Sequence, residues 1–136
     1  MSEDKLPTDR HPVLRVVPMP MDTNAAGDIF GGWIMSHADI AGSVVAGRRA
    51  RGRIVTVAVN ALQFRSPVFV NDLVSFYADV VRVGRSSITV EVVIYAERAG
   101  KTGTWEKECV RVTEATLTYV AIDEKRRPRE VPPEQN

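Results

Sequence analysis

The sequence predicts an α+β domain in which an antiparallel sheet wraps around one long central helix. Three observations carry this. An apolar run of helical length spans about Phe30 to Arg49, with no Lys, Arg or Glu between Ile29 and Gly47. Strand-like segments follow it with only short connections between them. One further strand-like segment precedes it.

In chain order, Val13 to Met19 reads as a short strand ended by Pro18 and Pro20. A polar loop then leads into the helix. Ile54 to Phe64, rich in Val, Thr and Ile, reads as a strand that stops before Pro67. Asp72 to Val83 places Val74, Phe76, Ala78 and Val80 on one face. Ser86 to Glu97 sets Ile88, Val90, Val92 and Ile94 against Thr89, Glu91, Val93 and Tyr95. Gly84-Arg85 between these two runs is a tight-hairpin signal. Gly100 to Gly103 supplies the next turn, and Trp105 to Ile122 reads as a long final strand, bent or bulged where its apolar phase switches near Glu114. A helix of twenty residues is roughly 30 Å long, matching strands of nine to twelve residues at roughly 3.3 Å each. A twisted sheet of that length can curl around the helix, which accounts for a helix apolar on most of its surface. The open edges of such a sheet are covered by dimerisation.

At 136 residues the chain is one domain. The boundaries read as a flexible N-terminal segment at 1–12, the folded unit at 13–123, and a charged, Pro-rich tail at 124–136. A net charge of +1 argues against a nonspecific grip on nucleic acid. Basic residues do cluster at Arg48 to Arg53 and Lys125 to Arg129, where either cluster reads first as solvated surface. The single cysteine, Cys109, excludes an intrachain disulfide and a Cys-based zinc site, and reads as a small buried hydrophobe. No His/carboxylate spacing suggests a metal site. The N-terminus lacks the apolar core of a secretory signal, and no uncharged run reaches the length of a membrane span. A soluble cytoplasmic protein with no membrane partner is expected.

Chemistry concentrates in the loop and helix from Asp22 to Gly42. Asp39 is the only acid on an apolar helix, and an isolated carboxylate there is costly unless it is paired, hydrogen-bonded or used. No cation lies one turn away to make an ion pair. Two readings stand even: a structural Asp bonded to Ser36, Ser43 or the backbone, or a general base. Gly31 and Gly32 fall where loop becomes helix. The first helical N–H groups lack internal acceptors and would stabilise an oxyanion, although close packing explains a glycine pair as well. Asn24 belongs to an Asx-type turn, and its amide is also donor and acceptor for a water or carbonyl. His37 lies two residues from Asp39, hence on another helix face, which argues against a Ser36–His37–Asp39 triad. Gly84-Arg85-Ser86-Ser87 joins two strands and offers a guanidinium and hydroxyls suited to a phosphate.

Assembled, these residues resemble the YciA-type acyl-CoA thioesterases of the hot-dog superfamily. The similarity runs through Met19-Pro20-x-Asp22-Thr23-Asn24-Ala25-x-Gly27-Asp28-Ile29-Phe30-Gly31-Gly32-Trp33-Ile34-Met35-Ser36, Asp39, and Arg53 to Val59. It continues through Phe64-x-x-Pro67, Gly84-Arg85-Ser86-Ser87 and Tyr119-Val120-Ala121, and covers roughly residues 13 to 123. The resemblance implies a single hot-dog domain hydrolysing acyl-CoA to free acid and CoA. It implies Asp39 as the catalytic acid/base (general base, or nucleophile) and Asn24 assisting from the other subunit of a dimer. The backbone N–H near Gly31 and Gly32 becomes the oxyanion donor, and Arg85, Ser86 and Ser87 the candidates for CoA contacts. A trimer of dimers is the expected assembly, with no metal or redox cofactor. Met21 and Asn60 depart from the family's usual pattern, at positions that bear on acyl-chain or CoA contacts. A hot-dog dehydratase would need a His beside the site acid. A non-catalytic acyl-CoA-binding sensor on the same fold is the alternative function.

Overall fold

A computed structural model describes residues 4–106 and 108–135, the side chains of Ala61 and Leu62 excepted. The chain forms β1 (Leu14–Val16), a short 3-10 turn at Pro20–Asp22, α1 (Gly31–Ala50), β2 (Ile54–Phe64), β3 (Leu73–Val83), β4 (Ser87–Glu97) and β5 (Cys109–Ala121). The strands make one antiparallel sheet ordered β1-β3-β4-β5-β2, so β2 and β1 are its edges.

The sheet curls around α1, and the division of side chains between them explains how. The buried face of the helix is small: Ala38, Ala41, Gly42, Ala46 and Ala50, with Ile34 the one large residue. The bulk comes from the sheet, in Phe76, Ile88, Val90, Ile94, Leu117 and Tyr119. Small residues bring the helix axis close to a concave surface that fills the space with larger ones. Yet one chain wraps only one side of the helix: Phe30, Met35 and Ile40 remain exposed.

Elements depart from the sequence reading where a local group intervenes. β1 shrinks to three residues because Pro18 and Pro20 cannot donate to the ladder, and it pairs only with Val74 to Phe76 of β3. β5 begins at Cys109 rather than Trp105, because Trp105 adopts positive φ (57°) and sends its indole N–H to the Asn71 carbonyl at 2.8 Å. The phase switch of β5 is a bulge. Thr113 pairs Ile94 and Arg111 pairs Tyr95, leaving Val112 unopposed and buried beside Thr113.

Both terminal segments lie on the fold. Leu6 covers Tyr77, Val93 and Tyr95 on the outer face of the sheet, Asp4 accepts the Arg111 N–H at 2.9 Å, and Arg10 sits over the Tyr77 ring and pairs Asp79. Cys109 joins this outer cluster, where burial pushes its thiol up to about 11. At the other terminus Val131 is buried, and Arg49 and Arg51 donate to the carbonyls of Pro132 and Pro133. Arg129 donates to Ala50 O and Ile122 O, both at 3.0 Å, tying the end of α1 to the end of β5. A Cβ on Gly52 would meet the Arg129 guanidinium at 2.5 Å, so a larger residue there would displace the end of that side chain.

Candidate active site

The loop before α1 is organised by two acidic or amide side chains. Asp22 Oδ2 accepts the Met19 N–H, while Asn24 Oδ1 accepts the N–H groups of Ala26 (2.9 Å) and Asp28 (3.1 Å). Gly27, at φ 89°, lets the chain reverse inside that turn. Ile29 N–H then bonds Val68 O and Phe30 N–H bonds Asp22 O, which delivers the chain to the helix start. The first intrahelical bonds run from Trp33 and Ile34 to Phe30 O. The N–H groups of Gly31 and Gly32 have no acceptor among the described residues and face outward. A Cβ on Gly32 would meet nothing within 4 Å, and one on Gly31 would meet only Phe64 at ordinary contact distance. Helix–sheet packing within the chain therefore does not require this glycine pair.

Beside these donors lies a cleft of about 360 Å³, walled by Ile29, Ile34, Phe64, Pro67 and Val68. Two turns further along α1 sits Asp39, half-buried. Its Oδ1 accepts hydrogen bonds from Thr56 Oγ1 at 2.8 Å and from Tyr119 Oη at 3.0 Å, and the Tyr119 hydroxyl also lies 3.0 Å from the Asp39 carbonyl. Asp39 Oδ2 has no partner among the described residues. Burial pushes the Tyr119 phenol far above the ordinary tyrosine range, and the hydrogen bond and charge of Asp39 push it further. The phenol thus remains a protonated donor.

The local partners that a structural reading of Asp39 requires are engaged elsewhere. Ser36 Oγ donates to Gly32 O at 2.6 Å, and Ser43 Oγ donates to Ile40 O at 2.7 Å. His37 donates from Nδ1 to Trp33 O at 2.7 Å and packs against both Trp33 and Phe76, away from Asp39. Among the described residues no cation pairs with Asp39, and no three His, Cys, Asp or Glu side chains converge as metal ligands. One carboxylate oxygen is tethered by two neutral hydroxyls; the other is open. That arrangement suits proton transfer with a bound water.

The remaining sequence candidates are dispersed. Asn24 makes no hydrogen bond to Asp39 within the chain; its carbonyl oxygen is committed to the loop and only its NH₂ stays open. Asn60 is exposed on β2, four residues beyond Thr56. Arg85, Ser86 and Ser87 occupy the β3–β4 hairpin at the far end of the sheet, where Arg85 O accepts the Val131 N–H and Ser86 O accepts the Ala121 N–H. Thr56 and Tyr119, which hold Asp39, lie in segments that carry the family resemblance, yet they have no role assigned from sequence. They lie 17 and 80 residues from Asp39, beyond the reach of any local spacing rule.

One curled antiparallel sheet around one long helix defines the hot-dog fold, and the family model of the thioesterase superfamily matches residues 26–102. The chain belongs to that superfamily. It is 42% identical over 122 residues to the acyl-CoA thioester hydrolase YciA of Escherichia coli, covering 90% of this chain and 91% of the relative. A hexameric thioesterase from Yersinia pestis superposes with a TM-score of 0.85 at 44% identity, over 95% of this chain and all of that one. A hexameric hot-dog fold thioesterase of Campylobacter jejuni gives 0.85 at 40% identity, over 93% of each chain. Within the superfamily the chain therefore falls with the YciA-type acyl-CoA thioester hydrolases. Among the described residues no helix is long and apolar enough to cross a membrane.

Proposed function

We propose that this chain hydrolyses acyl-CoA thioesters to the free carboxylic acid and CoA, with Asp39 as general base. The observation that carries the reading is the asymmetric carboxylate: Oδ1 fixed by Thr56 and Tyr119, Oδ2 open. Oδ2 takes a proton from water as the water oxygen bonds to the thioester carbonyl carbon. The carbonyl oxygen becomes an oxyanion, stabilised by the free N–H groups of Gly31 and Gly32 at the positive end of α1. Collapse of the tetrahedral intermediate breaks the C–S bond, and the proton held by Asp39 passes to the departing thiolate. No metal or redox cofactor enters this scheme.

The site is completed across a dimer. β2 is one of the two edges of the sheet; Val57 there is 55% exposed and Val59 and Phe64 are also exposed, and the uncovered helix face adds Met35 and Ile40. An exposed apolar edge strand beside an exposed apolar helix face is an interface in waiting. Asn24 of the partner subunit then reaches the site with its NH₂, the half of the amide that the loop leaves free. It donates to the substrate carbonyl or to the attacking water. Three such dimers make the hexamer, the assembly named for the Yersinia and Campylobacter relatives. The cleft between Ile34 and Phe64 takes the acyl chain. The hexamer is cytoplasmic in this reading.

Release of free thiol from short, medium and long acyl-CoAs, comparing wild type with Asp39→Asn, tests this. A fall of two or more orders of magnitude in a variant that still folds and binds CoA is the expected result. No turnover by wild type on any chain length, or an undiminished variant, overturns the reading and leaves a binding protein.

A further inference from the structure

The apolar cleft beside Gly31 has walls of two kinds. Ile29, Ile34 and Val68 are buried and packed among the other core side chains. Pro67 is exposed, but its ring is rigid and its carbonyl accepts a hydrogen bond from Arg98 at 3.2 Å. Phe64 differs from all of these. It is 48% exposed, and the tip of its ring rests against Gly31, where an added Cβ would lie 3.5 Å from Cζ and 3.7 Å from Cε2.

Phe64 faces the helix only because β2 is irregular. Directly opposed residues of an antiparallel pair share a face of the sheet. Val59 pairs Leu117, a core residue, so Val59 stands on the helix side. Unbroken alternation from Val59 would put Gln63 on that side and Phe64 on the outer face. Instead the register shifts: Asn60 opposes Thr116, while Gln63 opposes Glu114. Two residues of β2 therefore face one of β5, and this bulge turns the phase over. Phe64 pairs the buried Thr113 and comes round to the helix side, against Gly31. Bulges beside active sites re-aim side chains in this way. The displaced side chain here is the only large apolar wall of the cleft that is not fixed by core packing or by a ring.

We infer that Phe64 determines specificity, limiting the length of acyl chain that the cleft accepts. The inference rests on the acyl-CoA reading above, in which the thioester oxygen sits at the Gly31 and Gly32 N–H groups. An acyl chain that starts there meets the edge of the Phe64 ring at once. β2 is also the edge offered to the partner subunit, so the ring divides the cleft from the dimer seam. Removing the ring extends the cleft along that seam and leaves the packed core untouched. A larger ring shortens the cleft.

The test is the ratio of kcat/KM for decanoyl-CoA to that for butyryl-CoA in wild type, Phe64→Ala and Phe64→Trp. Each newly buried methylene is worth about fourfold, so the ratio should rise about tenfold or more in Phe64→Ala and fall in Phe64→Trp. A ratio cancels any general loss of activity through assembly or through the neighbouring Gly31. Unchanged ratios in both variants overturn the inference and leave the hydrolysis standing. Calorimetric binding of straight-chain carboxylates, from butanoate to decanoate, reads the same wall without turnover. Tighter binding of the longer acids by Phe64→Ala and weaker binding by Phe64→Trp supports the assignment even in a chain that hydrolyses no acyl-CoA. Identical chain-length profiles in all three proteins overturn it there too.

Discussion

Asp39, half-buried, and Asp72, fully buried, each accept two hydrogen bonds on one carboxylate oxygen. Their donors differ. Asp72, 2% exposed, is held by the Phe69 N–H at 2.8 Å and the Arg98 guanidinium at 2.5 Å. Arg98 in turn donates to Pro67 O and Glu108 and lies over the Phe69 ring. That network fastens the loop whose Val68 carbonyl receives Ile29 N–H, and so holds one wall of the apolar cleft. Asp39 meets only neutral hydroxyls, and its second oxygen is open. Partner chemistry and burial together separate a carboxylate that braces the fold from one that is left to react.

The comparison is sharpest where each acid is removed. Asp72→Ala removes the shortest partner of a largely buried guanidinium and leaves it with Glu108 and Pro67 O, which costs at most about 3–5 kcal/mol of stability. Chemical denaturation measures it directly, and Asp72→Ala/Arg98→Met should recover part of the loss. An Asp72→Ala protein that melts like wild type would remove the bracing role. The pH dependence has a definite sign. Burial outweighs the Phe69 N–H and Arg98 and raises the Asp72 pKa above its ordinary 3.8. The folded chain then keeps this proton to higher pH than the unfolded chain, so the stability it contributes is complete below 3.8 and fades as pH rises through the folded value. Melts of wild type against Asp72→Asn across the acid range should show the wild-type lead shrinking as pH rises. A growing lead would mean that Arg98 dominates.

Asp39→Asn is the mirror case. The rate should fall about a hundredfold or more, roughly 2.7 kcal/mol in barrier. The denaturation midpoint should stay near that of wild type, because the amide oxygen still accepts from Thr56 and Tyr119. A variant that is both inactive and unfolded would place Asp39 with Asp72 among the bracing residues.

Gly42→Ala tests the support of Asp39 from behind. A Cβ there would lie 3.2 and 3.3 Å from ring atoms of Tyr119 and closer still to its hydroxyl. Overpacking of this kind costs about 1–3 kcal/mol, while alanine in place of glycine returns roughly 1 kcal/mol to the helix. The net change in stability should be a loss of about 0–2 kcal/mol. The displaced phenol should lower kcat, so activity and stability part company. Unchanged turnover would show that the Tyr119 hydroxyl is not needed where it stands.

The sequence was most legible where one local rule governed. The alternation of Val74, Phe76, Ala78 and Val80 set the inner face of β3, and the apolar run before Arg48 set the helix. The phase switch in β5 was visible, though the unopposed residue proved to be Val112 rather than one at Glu114. Where two distant segments met, local rules failed. Trp105 left the strand for a carbonyl 34 residues away, and the tail that composition marks as peripheral instead buries Val131 and caps α1 through Arg129. The site divides in the same way. Asp39 stood out because its own helix offered it nothing, whereas Thr56 and Tyr119 reach it only once β2 and β5 pair through Thr56 and Tyr119 themselves. Their identity was therefore a property of register, which composition and spacing do not encode.

That register predicts the smallest effect and the most specific one. Thr56→Val and Tyr119→Phe each remove one hydroxyl from Asp39 Oδ1. Each is a hydrogen bond from a neutral hydroxyl to a charged oxygen, of which only the part that orients Oδ2 reaches the rate, so each variant should lose roughly tenfold or less in kcat/KM. Either remaining donor still holds the same oxygen and leaves Oδ2 aimed outward. Removing both frees the carboxylate to rotate, so the double variant should lose more than the product of the two single losses. Groups that share one acceptor couple in this way, by about 0.5–3 kcal/mol. If the two losses simply multiply, the hydroxyls act separately and the tether is not what keeps Oδ2 available.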